Sequence, residues 1–413
     1  MELHRLGRAT QAVRAPHQGP SWAAITLVLL GVSLAGCGSG ATPAPSHTPG
    51  RASPSAVAPT EVTSPTPSPS PTQAPGTFTI TKGSFLDTLA YGQTAALLGD
   101  GRVLIAGGET SLGEVKTGEI YDPTTDTFSL TGSLIDWIQS YATSVLLRDG
   151  RVMILLDESD NAAELYDPAS GTFSKSAPMP RRVDGETVTV LPDSQVLVAG
   201  GCCDKKSLPI ASAELYNPTT NSWTSTATLH YARNGATATL LSDGRVLVAG
   251  GFTNTNINKA GEVLSSAEIY DPSTGRWSDT GSMNGRRGAA AAALLQNGKV
   301  VVAGGEGPND LSSAELYDPA TGKWAKTGSL SVNMIDESHT FVAVPLLDGR
   351  VLMTGGSIPN GRTDVYDPTR GTFSEAFDSG SFSSPVRLHD GRVLMIGFPD
   401  GGSGIKVAVL YQP

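Results

Sequence analysis

Short apolar runs separated by tight-turn signals recur along residues 77–413. The clearest unit reads Leu-Leu-x-Asp-Gly-Arg-Val-Leu-x-x-Gly-Gly, in which an Asp-Gly pair lies between two apolar runs. Its turn residue occurs seven times, at Asp100, Asp149, Asp193, Asp243, Asn297, Asp348 and Asp390. Such a pair is the strongest short signal of a β-hairpin, and a type I′ turn needs positive φ at both central residues. The pattern therefore predicts two paired strands per repeat, a and b, which in the fourth repeat cover residues 236–241 and 245–249.

A second block, Ala-Glu-Leu-Tyr-Asp-Pro or a variant of it, follows each hairpin. Its seven tyrosines are Tyr121, Tyr166, Tyr216, Tyr270, Tyr317, Tyr366 and Tyr411. Six of them have an aromatic residue seven positions later: Phe128, Phe173, Trp223, Trp277, Trp324 and Phe373. The alternating Glu-Leu-Tyr predicts a strand c, Asp-Pro-x-Thr-Gly a tight turn with Gly in the left-handed region, and the aromatic residue the start of a strand d. Each repeat is then a four-stranded meander, which buries both faces only when repeats stack radially.

The phase of the repeats predicts how the ring closes. The chain stops two residues after Tyr411, so the last repeat lacks its strand d. A matching segment occurs at the start, where Phe78 lies 22 residues before Asp100, as Phe128 lies 21 before Asp149. An N-terminal strand can therefore complete the last blade and leave no open edge. We predict an all-β fold over residues 77–413, a seven-bladed β-propeller of four-stranded antiparallel blades closed by an N-terminal outer strand.

The Gly-Gly pair, Tyr-Asp-Pro and the tryptophan, spaced by about 50 residues, resemble the kelch repeat over nearly all of 77–413. The resemblance implies the galactose oxidase-like propeller fold, which hosts enzymes, sugar binders and protein binders alike. Galactose oxidase-like enzymes imply copper held by two Tyr and two His. The propeller region here has only His230, His339 and His389, and His230-Tyr231 is not the order of that family. We therefore expect no copper, no other cofactor and no catalytic residues; an enzyme acting on extracellular carbohydrate is the alternative.

The N-terminal residues do not fit the repeat. Three arginines precede an apolar run over residues 22–35, which is too short to span a bilayer and typical of a signal peptide. The run ends in Leu-Ala-Gly-Cys37, which resembles the lipobox of bacterial lipoproteins and implies cleavage before a lipidated Cys37. An ordinary signal peptide with a chance cysteine is the alternative. Residues 37–76 are rich in Pro, Ser and Thr and too poor in apolar surface to fold.

This organisation predicts a signal peptide over residues 1–36, a disordered linker over 37–76 and a propeller held in the cell envelope, lipid-anchored to the outer side of the cytoplasmic membrane. Residues 77–413 carry 25 basic and 37 acidic groups, and the whole chain has a formal net charge of −10. An acidic surface repels phosphate backbones, so we expect no nucleic-acid partner. We expect a monomer that reaches the membrane through the lipid on Cys37.

Loop lengths distinguish the two ends of the predicted propeller. The a–b and c–d turns are short and lie at one end, whereas the b–c loops and the d–a connections vary in length and lie at the other. Variable loops on a rigid scaffold are where binding groups usually lie. Arg182, Arg233 and Arg287 begin the inner strands of neighbouring blades and predict an anion or acidic-ligand site near the channel mouth. The alternative is that they pair with carboxylates or carbonyls within the loop layer.

Further candidate contacts lie at the same end. Trp137 and Tyr231 are of the type that stacks on sugar rings, with loop packing as the alternative, and His339 lies in another d–a connection. Cys202 and Cys203 are adjacent in a b–c loop and form either a vicinal disulfide or free thiols. No zinc-ligand spacing surrounds them. We therefore predict a membrane-tethered module that binds a protein or glycan through its long-loop end.

Overall fold

The computed structural model describes residues 76–86, 92–110, 113–136, 138, 142–156, 162–181, 185–202, 208–253, 263–307, 311–331, 341–355, 361–377, 381–398 and 407–413. These residues belong to one compact unit, Ser70–Pro413. Every regular element within them is a β-strand. In the same ranges there is no helix of the length and apolarity that a membrane crossing requires.

Seven four-stranded antiparallel sheets make up this unit, and each runs a–b–c–d from the centre outward. In blades 1 to 7, strand a spans Thr94–Leu97, Thr143–Leu146, Thr187–Val190, Thr237–Leu240, Ala291–Leu294, Val342–Pro345 and Ser381–Arg387. Strand b spans Val103–Ala106, Val152–Leu155, Val196–Ala199, Val246–Ala249, Val300–Ala303, Val351–Gly355 and Val393–Phe398. Strand c spans Thr117–Asp122, Ala162–Asp167, Ala213–Asn217, Ala267–Asp271, Ser313–Asp318, Arg362–Asp367 and Val407–Gln412. Strand d spans Thr127–Ser133, Thr172–Pro178, Ser222–Ser225, Arg276–Asp279, Lys323–Ser329, Thr372–Phe377 and, for blade 7, Thr77–Ile80.

A two-stranded hairpin, Glu109–Thr110 with Gly113–Glu114, lies in the b–c loop of blade 1.

The ring closes as the phase of the repeats predicts. Each strand a contacts strand a of the next blade, and blade 7 contacts blade 1 in the same way. Strand Thr77–Ile80 pairs antiparallel with Val407–Gln412, with Phe78 opposite Tyr411. The ring centroids of Phe78 and Tyr411 lie 4.9 Å apart, within the 4.8–5.0 Å found for the Tyr–aromatic pairs of the other six blades. The seven-bladed propeller closed by an N-terminal outer strand is confirmed.

The core lies between blades rather than within them. Seven apolar clusters each draw on two neighbouring blades, and the Val-Leu-Val-Ala runs of strand b are buried throughout. Trp277 shows how two blades are connected. Its ring packs against Tyr270 of its own blade. Its Nε1 donates to the carbonyl of Ala227, 2.9 Å away, which follows strand d of the preceding blade. Trp223 and Trp324 make the same contact with the preceding blade, so the blade tryptophans belong to the inter-blade core.

The a–b turn differs from the predicted type I′. In blade 4 the Gly244 N–H donates to the Leu241 carbonyl (3.0 Å) and the Leu241 N–H donates to the Arg245 carbonyl (2.8 Å). Gly244 has φ +86°, whereas Asp243 is not among the residues with positive φ. This is a three-residue loop, a type I turn followed by a left-handed glycine. The Asp243 carboxylate favours it by accepting the Arg245 N–H at 3.1 Å.

Candidate binding face

The loop contacts separate two ends of the propeller. At one end, a–b and c–d turns meet, as where Arg151 of blade 2 donates to the Pro218 carbonyl of blade 3 at 2.8 Å. His389 lies at this end, in a groove of about 270 Å³ with the turn residues Gly101 and Asp122. The described parts of the b–c loops and d–a connections meet at the other end, which we call the long-loop end, as where the Gly201 N–H donates to the Arg233 carbonyl at 2.8 Å. The structure thus groups the short turns and the variable loops as the sequence predicts.

Arg233 lies in the connection that enters blade 4, and its side chain has 0% exposure. Its backbone carbonyl accepts the Gly201 N–H of blade 3 (2.8 Å). Its guanidinium donates to the Gly250 carbonyl (2.7 Å), to Ser266 and to Glu268 Oε1 (2.6 Å) in blade 4. The residue therefore joins two blades, with its charge paired to a carboxylate that is also fully buried.

Arg287 repeats this arrangement between blades 4 and 5. Its carbonyl accepts the Gly251 N–H (2.9 Å), and its guanidinium donates to the Gly304 carbonyl (2.9 Å), to Ser313 and to Glu315 Oε1 (3.1 Å). Its side chain is 1% exposed. We call each such arginine–glutamate unit an arginine clasp.

The clasps correct the prediction of a cationic site at the channel mouth for Arg233 and Arg287. Both guanidinium groups are buried and paired, so the alternative of pairing with carboxylates and carbonyls is the arrangement observed. Of the nitrogen atoms of these two guanidinium groups, the two Nε atoms have no hydrogen-bond partner, and both are buried. A ligand approaching from solvent meets neither charge.

The sequence interpretation missed the carboxylates that hold the connections. Blades 1 to 6 each carry a buried carboxylate two residues before the tyrosine of strand c: Glu119, Glu164, Glu214, Glu268, Glu315 and Asp364. Blade 7 has Val409 at this position. Glu164 accepts the backbone N–H groups of Ile135 (2.9 Å) and Asp136 (2.6 Å) in the connection from blade 1. The sequence does contain a signal for them, because an acidic residue recurs two positions before the strand-c tyrosine in six of the seven repeats.

The electrostatics of these carboxylates differs between blades. Burial works to raise the pKa of Glu315, but hydrogen bonds from Asn284, Gly285 and Arg287 outweigh it and bring the pKa below its usual value. Burial lowers the pKa of the Arg287 guanidinium, yet arginine stays protonated in proteins, so the pair is ionic.

Blades 2 and 6 show the opposite shift. Burial raises the pKa of Glu164 above its usual value, although the Asp136 and Ile135 N–H groups oppose it. Burial likewise raises the pKa of Asp364, against the hydrogen bonds from Ser331. Glu315 is therefore held in its ionic form, whereas Glu164 and Asp364, at the same position of the repeat, are easier to protonate.

Tyr231 is the predicted contact residue that the structure leaves accessible, with 48% exposure. Its backbone N–H donates to Glu268 Oε1 at 3.3 Å, which fixes the connection beneath its ring. The preceding His230 is 47% exposed, and its Nδ1 lies 2.8 Å from Asp279 Oδ1 on strand d. This hydrogen bond raises the pKa of His230.

Other predicted site residues lie outside the described residues: Arg182, Trp137, His339, Cys37 and Cys203. Cys202 is buried and disulfide-bonded, while its predicted partner Cys203 is among the residues just named.

The donor set for copper can be tested on the described residues. The cluster there that could hold a metal is His230, Glu268 and Asp279, one imidazole and two carboxylates. It differs from the two Tyr and two His that a galactose oxidase-like copper site implies. The two histidines among the described residues, His230 and His389, lie at opposite ends of the propeller, so these residues do not fit that copper site and we derive no redox step.

Comparison with known proteins agrees with the fold. The kelch motif model matches residues 187–230, 235–284 and 287–331, the region of blades 3 to 5. The chain thus contains kelch motifs in a seven-bladed β-propeller. A solved fungal alcohol oxidase, described as having catalytic diversity among the AA5 family and being in complex with copper, is similar at 15% identity and a TM-score of 0.59, over 82% of this chain and 76% of that one. At this identity the likeness shows the fold alone. No curated protein sequence matches.

Proposed function

We propose that this chain is a membrane-tethered, extracytoplasmic binding module that holds a protein or glycan ligand at its long-loop end. One observation carries the proposal. The charged groups described at the base of this end bind each other in the two arginine clasps, Arg233 with Glu268 and Arg287 with Glu315. They make a rigid platform for exposed loops, which is how binding surfaces are commonly built.

Tyr231 is the contact residue that this proposal favours. Its ring is exposed and its backbone is anchored to buried Glu268. An aromatic ring held in place loses little entropy on binding and stacks well on the apolar face of a sugar or on an apolar side chain.

Binding can be tested with residues 70–413, which include the whole closed ring. The protein is screened on a glycan array and by affinity capture from extracellular material, and each hit is measured by calorimetry. Tyr231→Ala should weaken a hit at least about tenfold, which is about 1.4 kcal/mol. Leu130→Ala, which alters a still more exposed apolar residue on strand d of blade 1, should leave it unchanged. Equal affinity of both variants for every hit would place the ligand elsewhere.

The tether is tested separately. A lipid on Cys37 predicts that metabolically supplied palmitate labels the full chain and that the label disappears in Cys37→Ala. Cys203→Ala should keep the label. Label that persists in Cys37→Ala would contradict the anchor, without bearing on ligand binding.

An enzyme acting on extracellular carbohydrate remains the alternative function. The fold shared with a copper alcohol oxidase motivates one assay, oxidation of galactose and simple alcohols after loading with copper. Turnover would favour the enzyme over the binding module. The binding proposal predicts none.

A further inference from the structure

Three metal-ligating side chains meet at the outer part of blade 4. His230 comes from the d–a connection, Glu268 from strand c and Asp279 from strand d. Their nearest donor atoms all lie within 4.8 Å of one another. His230 Nδ1 is 2.8 Å from Asp279 Oδ1 and 3.9 Å from Glu268 Oε2. Glu268 is fully buried, whereas the other two are open to solvent, so the cluster has a rigid floor and an accessible mouth.

The strand register allows the same position to be compared in other blades. The residue opposite the buried carboxylate on strand d is Asp279 in blade 4, Lys175 in blade 2 and Lys326 in blade 5. A lysine thus occupies this register position in two blades, and a second carboxylate occupies it in blade 4. Lys175 also pairs with Asp136 of the adjoining connection at 2.7 Å.

Blade 6 also has an acid at this position, but it has its own counterion. Glu375 lies opposite Asp364 and pairs with the Arg362 guanidinium at 2.9 Å. In blade 4, Arg233 neutralises Glu268 through Oε1, and no arginine or lysine within the described residues forms an ion pair with Asp279. A divalent cation that displaces the proton from His230 Nδ1 gains a nitrogen donor and faces the negative charge of Asp279.

We propose that His230, Glu268 and Asp279 form a binding site for a divalent transition-metal cation, with zinc as the best fit. The cation supplies the positive charge that a lysine at the same register position carries in blades 2 and 5. An imidazole nitrogen with two carboxylates leaves a fourth tetrahedral position for water or a ligand group. The site is distinct in donor type from the tyrosine and histidine set of a copper oxidase, and it does not depend on the proposed ligand binding.

The geometry needs only small side-chain shifts. Zinc bonds of about 2.0–2.2 Å to N and O place tetrahedral ligand atoms about 3.3 Å apart. The two distances from His230 Nδ1, 2.8 and 3.9 Å, lie on either side of that value. Glu268 Oε2 accepts the His230 N–H at 2.7 Å and keeps a second lone pair for the metal. Since His230 and Asp279 are both exposed, their rotamers can adjust without disturbing the core.

Equilibrium dialysis of the full chain, without a histidine tag, measures the bound zinc. We expect one zinc per chain whose affinity falls at least tenfold in His230→Gln and in Asp279→Asn, each tested alone. Glu375→Gln, the matched change at the same register position of blade 6, should leave the affinity unchanged. Equal circular dichroism spectra and urea midpoints would establish that all three variants fold.

Two results would overturn the proposal. One is zinc binding that neither His230→Gln nor Asp279→Asn weakens, because the bound metal would then lie elsewhere. The other is calcium or magnesium displacing zinc at comparable concentration, because a site with an imidazole donor favours transition metals over these hard cations.

Discussion

Blades 5 and 2 place a buried glutamate at the same position of the repeat, but they stabilise it differently. Both glutamates accept two backbone N–H groups, but Glu315 also accepts the Asn284 amide and the Arg287 guanidinium and has a lowered pKa, whereas Glu164 has a raised pKa. Both carboxylates cap the connection that arrives from the preceding blade. In these two blades an acceptor at this position holds the connection, and in blade 5 the Asn284 side chain and Arg287 add further donors that help keep the carboxylate ionic.

The comparison also explains why arginines at a channel mouth need not bind ligands. A guanidinium whose Nη atoms bond two carbonyls and a carboxylate is part of the scaffold, as Arg233 and Arg287 are. The backbones of neighbouring blades also pack closely here, because a Cβ at Gly250 would overlap the Arg287 carbonyl. Binding is then left to exposed residues such as Tyr231.

The largest effect is expected from Arg287→Met. The change leaves Glu315 buried without its cation, which typically costs about 3–5 kcal/mol. Urea unfolding monitored by tryptophan fluorescence measures the loss. A loss below about 1 kcal/mol, the range of surface ion pairs, would show that the clasp contributes little.

A smaller loss is expected from Glu164→Gln in blade 2. No arginine among the described residues pairs with Glu164, and the amide still accepts one of the two N–H groups from Ile135 and Asp136. Leaving one buried donor unsatisfied costs about 1–3 kcal/mol. Glu315→Gln, which strands a buried arginine, is the matched control and should cost more. Equal losses would remove the distinction between the two blades.

The two glutamates should also give opposite pH dependences. The pKa of Glu315 is lowered from 4.5, so its contribution is present above pH 4.5 and is lost as the pH falls through the folded-state value. The pKa of Glu164 is raised from 4.5, so its contribution is present below pH 4.5 and is lost as the pH rises through the folded-state value. For Glu315→Gln and for Glu164→Gln, the free energy of unfolding is measured across this pH range and subtracted from that of the unaltered protein. The two differences should change with pH in opposite directions. Parallel slopes would contradict the assignment.

The smallest effect is expected at the short-turn end. Arg245 pairs with Asp243 at 2.7 Å, but both side chains are more than a third exposed. Arg245→Ala should change the free energy of unfolding by less than about 1 kcal/mol. A loss as large as that of Arg287→Met would mean that burial is not what distinguishes the two kinds of pair.

The sequence predicts much of this fold, because repeated apolar runs and the displaced Phe78 define the blades and their closure. The turn type was wrong, since the Asp243 side chain stabilises a type I turn through the Arg245 N–H. The roles of Arg233 and Glu268 could not be assigned, because they lie 35 residues apart and meet only when the connection and strand c of blade 4 pack together. The alternation of apolar and polar residues in strand c does not predict that Glu268 is buried, because the residues that cover it belong to the d–a connection and not to the strand.

A double-mutant cycle on Arg287 and Glu315 tests the arginine clasp most directly. Unfolding free energies are measured for Arg287→Met, Glu315→Gln and the double variant. The clasp predicts a coupling of at least about 2 kcal/mol, near the upper range for residues in contact, because the double variant leaves no unpaired buried charge. A coupling below about 0.5 kcal/mol, as expected for the exposed Arg245–Asp243 pair, would contradict it.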